Sequence, residues 1–113
     1  MKIRLLICYN LTMPKEKIVT LNSRRYKYLS TNRRCVFISH KEYEQEIVIS
    51  LVNNGGTIYF EITNLETKER TKLDNPETGT YTFPLEKGKK TQLLIKSKAA
   101  IGSYKIQKKT VIE

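Results

Sequence analysis

The sequence predicts an all-β fold: a two-sheet antiparallel β-sandwich of eight or nine short strands, in a single domain over residues 1–113. Three observations lead to it. The stretch EIVISLVNNGGTIYFEIT, Glu46 to Thr63, alternates with a period of two on both sides of Asn53-Asn54-Gly55-Gly56, with Ile47, Ile49 and Leu51 before and Ile58, Phe60 and Ile62 after. That spacing puts successive side chains on opposite faces of a strand. Asn and Gly accept the positive φ angles of tight turns, so the stretch is expected to be a β-hairpin with one apolar face. Strand-like runs also recur about every eight to twelve residues with turn residues between them, the pattern of a sandwich or barrel. Finally, no segment offers the helices that a parallel α/β sheet needs. The first 40 residues contain no alanine and many β-branched or aromatic residues, which favours strand over helix.

In chain order, Ile3, Leu5, Ile7 and Tyr9 are expected on one face of a first strand, which Pro14 ends because proline cannot sit in a central strand. Lys17 to Leu21 is a short second candidate. Arg25 to Leu29 and Cys35 to Ser39 follow, separated by Ser30-Thr31-Asn32. The hairpin comes next; a lone hairpin is marginal in water, so the rest of the chain must supply strands to cover its apolar face. Asn64 to Thr67 reads as a turn into a polar, edge-like strand, Lys68 to Leu73, where charged residues discourage pairing with a second molecule. After the loop Asp74 to Glu77, Gly79 to Leu85 alternates with Tyr81, Phe83 and Leu85 inward. Pro84 marks that strand as an edge or an end. Glu86 to Lys89 is a turn. Thr91 to Ser97 and Gly102 to Lys109 complete the set, with Tyr104 and Ile106 on one face.

From Tyr43 to Gln107 the order is strand, Asn54-Gly55-Gly56 turn, strand, polar strand, then Gly79-Thr80-Tyr81-Thr82-Phe83-Pro84-Leu85-Glu86-Lys87-Gly88, a strand, and Gly102-Ser103-Tyr104. This resembles the small immunoglobulin-like or jelly-roll β-sandwich modules of bacterial exported and surface proteins. The resemblance implies a sandwich closed by glycine–tyrosine pairs and a binding or spacing role. It implies no site residue. The chain departs from those modules at its start, where only Leu5 to Cys8 form an unbroken apolar run, against about 7 to 15 residues in an export signal. A cytoplasmic location is expected, or an extracytoplasmic one if a signal is missing from this chain. Usage rich in Lys, Ile and Asn is what a low-GC bacterium or its phage would encode.

No apolar run reaches the roughly 18 residues of a transmembrane helix. Cys8 and Cys35 are the only cysteines. Both sit in apolar strand contexts, where two buried thiols are expected in preference to a bridge. Catalysis is not expected. A nucleophilic triad needs a base and an orienting acid, and the chain has one histidine, His40, and one aspartate, Asp74. Cys35 and His40 would stand roughly 15 Å apart along extended chain. Glu42, Glu44 and Glu46 share a face and suit a hard cation, but such a row is more often a solvated stripe. No phosphate loop, zinc spacing or dinucleotide fingerprint is present, so neither cofactor nor metal is expected.

Charge is the stronger signal. The chain carries +10 overall. Residues 1–40 hold nine basic residues and one acidic, residues 41–77 four and eight, and residues 78–113 eight and two. If the first and last strands are neighbours, the two basic ends merge into one surface. The candidate binding residues are Arg24, Arg25, Tyr26, Lys27, Tyr28, Arg33 and Arg34, extended by Lys87, Lys89, Lys90, Lys96 and Lys98. Arginine forks grip phosphate and carboxylate, and tyrosine faces stack on unpaired bases. The bland alternative puts Tyr26 and Tyr28 in the core, with the cations merely solvated. Three roles follow. The preferred one is a non-catalytic module binding a protein partner through an edge strand, loops or basic surface. The second is a nucleic-acid-associated accessory factor or small inhibitor of a nucleic-acid enzyme. The third is an exported surface module.

Overall fold

A computed structural model describes residues 15–112. The expected strand over Ile3 to Tyr9, the Leu5 to Cys8 run and Cys8 lie outside them. Among the described residues there is no helix, hence none long and apolar enough to cross a membrane. The strands are β1 (Lys15–Ile38), β2 (Glu44–Asn64), β3 (Arg70–Asp74), β4 (Gly79–Leu85) and β5 (Lys90–Ile112). All pairing is antiparallel, in one sheet ordered β1-β5-β2, with β3 and β4 both bonded to the far side of β2.

The antiparallel all-β class is as expected, but the described chain makes five strands where eight or nine short ones are expected over the whole sequence. Three of the five are long because short candidates fuse. Lys17 to Leu21, Arg25 to Leu29 and Cys35 to Ser39 merge into β1 up to Ile38, and Thr91 to Ser97 joins Gly102 to Lys109 in β5. The hairpin is the clearest correction. Glu46 to Thr63 does not turn back on itself at Asn53-Asn54-Gly55-Gly56 but runs on as β2. Both of its halves bond to β5 instead of to each other, from Glu44 opposite Val111 to Asn64 opposite Thr91.

The Asn-Gly stretch works as a bulge. Inward residues of β2 are odd-numbered before it (Ile47, Ile49, Leu51) and even-numbered after it (Ile58, Phe60, Ile62). A one-residue slip moves every later side chain to the other face, so an unmatched slip would expose half the core. It is matched. The register of β5 shifts between Lys98 and Gly102, opposite Asn53 to Thr57, and that of β1 shifts between Tyr26 and Leu29. A line of bulges therefore crosses three strands, and bulges bend a strand. Two glycines make it possible. A Cβ at Gly56 (φ +67°) would meet the carbonyl of Ala99, and one at Gly102 (φ +143°) would run into the carbonyl of Val52.

The bend closes the core. Tyr104 lies opposite Leu51 and Phe60 opposite Ile95, an offset of roughly 30 Å along a straight strand. Yet their rings meet edge to face at 6.0 Å. Residues from both halves form one cluster, with Tyr81, Phe83 and Leu85 of β4 packed against it as their alternation predicts. The bend also explains two short strands on one edge: β4 follows β2 before the bulge and β3 follows it after. Their connection is tied to the bend by the Asn53 amide, which donates to Asn75 Oδ1 (3.1 Å) and the Pro76 carbonyl (2.7 Å).

Candidate partner-binding edge

Strand β1 is the outer strand on one side, and among the described residues it pairs only with β5. The opposite edge is blunted in the way natural sheets use to prevent pairing. There β3 is five residues long and polar, and β4 carries Pro84. By contrast, β1 runs for 24 residues. Of the seven large apolar side chains exposed among the described residues, six are on β1: Ile18 (55%), Val19, Leu21, Tyr28 (64%), Val36 (54%) and Ile38 (63%). Val36 and Ile38 share the face away from the core, because Phe37 between them packs inward.

Two irregularities divide this edge. One shift falls between Thr20 and Asn22 and another between Tyr26 and Thr31, where Tyr28 adopts φ 58°. From Thr31 opposite Ser97 to Ile38 opposite Lys90 the register is unbroken. Thr31 to Ile38 is thus the longest regular part of the edge.

The candidate cations do not form one compact patch. Arg24 and Arg33 take the core-side face, while Arg25 and Arg34 take the other, since Tyr26, Leu29 and Phe37 fix the inward phase. On the outer face Arg34 and Lys96 are diagonal neighbours, as Arg34 lies opposite Leu94 and Lys96 opposite Asn32. Lys90 sits beside Ile38 at the end of this run, and Lys98 faces Thr57 across the bend. Lys87 is in the β4–β5 turn, and Lys89 reaches Glu66 at 3.9 Å. Of the two tyrosines, Tyr26 belongs to the core margin. Its ring packs 5.7 Å from Tyr104, and burial, then the Tyr104 hydroxyl, push its pKa up to about 12. Tyr28 is exposed, with the Lys27 ammonium 5.8 Å from its ring centre.

The first strand in the expectation about merging charge lies outside the described residues, but among those described the basic strands β1 and β5 lie side by side. Together they hold thirteen basic residues and one acidic, Glu16. That glutamate is taken by Lys109 (3.1 Å), which also reaches Glu46 on β2 (3.5 Å) and so links three strands. No carboxylate pairs with Arg24, Arg25, Arg33 or Arg34 among the described residues. His40 is a local cap whose Nδ1 accepts from the Glu42 and Tyr43 amides. The apolar part of the edge escaped the sequence reading. Its signal was there in the consecutive apolar pairs Ile18-Val19 and Phe37-Ile38, because a strand with one buried face should alternate. The chain matches no protein-family model and no curated protein.

Proposed function

We propose that this chain is a non-catalytic interaction module that binds another protein along the β1 edge. The observation that carries it is the concentration of exposed apolar side chains on that one long strand. Covering them is favourable by about 25 cal/mol per Å² of apolar surface. An added strand would also satisfy main-chain groups, while side chains on alternate faces give selectivity. We also read the two halves of the bent sheet as the layers of a β-sandwich, which their shared core supports.

The thirteen-to-one basic ribbon of β1 and β5 supports a second reading, a nucleic-acid-associated factor with phosphates along the cations and a base on Tyr28. It leaves Val36 and Ile38 without a role. Titration of labelled single- and double-stranded oligonucleotides at two salt concentrations tests the choice. Protein binding predicts no sub-micromolar complex at physiological salt. Tight, steeply salt-dependent binding that is lost when Arg24, Arg25, Arg33 and Arg34 become alanine would replace the first reading by the second.

A further inference from the structure

We infer that the partner supplies an acidic β-strand, added alongside Thr31–Ile38, with two consecutive carboxylates meeting Arg33 and Arg34. This rests on the protein-binding reading above and adds the chemistry of the partner. The run is the longest stretch of β1 without a register shift, so a regular ladder extends from it without a break. Arg33 and Arg34 project to opposite faces, as do any two adjacent residues of an added strand. One carboxylate dipeptide therefore reaches both guanidinium groups, neither of which has an acidic partner among the described residues. Val36 and Ile38, exposed on one face, call for apolar residues at alternate positions further along the same strand.

Charge decides between possible strands. A second copy of this chain would set β1 against β1, each with seven basic residues and one acidic, and like charges across a strand pair are destabilising. An acidic strand reverses that sign. It also gains from Lys90 and Lys96, which flank the run on β5.

The test is fluorescence anisotropy of the full chain with a short capped peptide of alternating valine and threonine that ends in two adjacent glutamates. Glutamine in place of the glutamates should weaken binding about tenfold. N-methylation at alternate, ladder-facing positions should abolish it. Arg33→Glu with Arg34→Glu should transfer preference to the lysine version of the peptide, with an unchanged melting temperature to show that the variant folds. Equal binding of the glutamine peptide overturns the carboxylate inference and leaves the protein-binding reading standing. Binding that survives N-methylation overturns strand addition. Failure of every peptide overturns the inference, and if a single-stranded oligonucleotide binds in their place the broader reading falls with it.

Discussion

Tyr26 and Tyr104 show how single side chains join the edge strand to the core. Tyr104 is fully buried, its ring lies against Phe60 and Tyr26, and its hydroxyl accepts from the Asn22 amide at 3.3 Å. The raised pKa of Tyr26 ties stability to alkaline pH. In the unfolded chain this phenol ionises near its ordinary value of about 10, while the folded protein keeps it neutral to about 12. Its contribution is therefore complete below pH 10 and is lost as pH rises through 12. Tyr26→Phe should flatten the fall in denaturation midpoint across that window; an unchanged profile would show that the group is not protected. At the bend, Gly102→Ala should cost about 3 kcal/mol or more, because its Cβ would collide with main chain and not with a side chain that can move aside. A urea midpoint within about 0.5 kcal/mol of the parent would mean that the two strands separate easily there.

At the scale of the element, β1 is a long edge among the described residues, with seven basic residues to one acidic. Natural edges are usually shortened, bulged or covered; here the bulges leave Thr31 to Ile38 regular. Salt screens charges over about 8–10 Å near physiological ionic strength. Raising it should thus remove the repulsion between copies and promote self-association, measured by light scattering or sedimentation. Val36→Lys with Ile38→Lys should suppress that association with little change in melting temperature, since both side chains are exposed. Association that ignores these substitutions would place the sticky surface elsewhere. The short strands behaved differently from the long ones in sequence. Gly79 to Leu85 was legible to the residue, because its alternation ends at real turns on both sides. The extent of β1 was not, since Ser30-Thr31-Asn32 has turn chemistry yet is held extended by β5.

For the whole molecule, the arrangement of charge follows from strand order. Among the described residues the basic strands β1 and β5 lie together, and the acidic middle supplies β2 and β3. Moderate salt should therefore raise the melting temperature by a few degrees, as repulsion within the β1–β5 ribbon is screened. A fall would mean that the links made by Lys109 to Glu16 and Glu46 outweigh the repulsion. The cations of the candidate site were legible as a list, whereas their division between two faces was not. Adjacent arginines always diverge on a strand, and composition does not say which one faces the core.

The period-two alternation and the β-branched content were written in the chain itself and determined an antiparallel all-β protein, and the two basic ends were written there too. Only the tertiary structure decided what Asn53 to Gly56 would do. Asn and Gly accept the same backbone angles in a hairpin turn and in a bulge. The choice between them belongs to whichever strand supplies the hydrogen bonds, and here β5 supplies them to both halves of β2. The edge of the described residues has the same origin: the run Val36-Phe37-Ile38 already says that a strand places apolar side chains on both faces, but which strands stand beside β1 is a matter of long-range pairing.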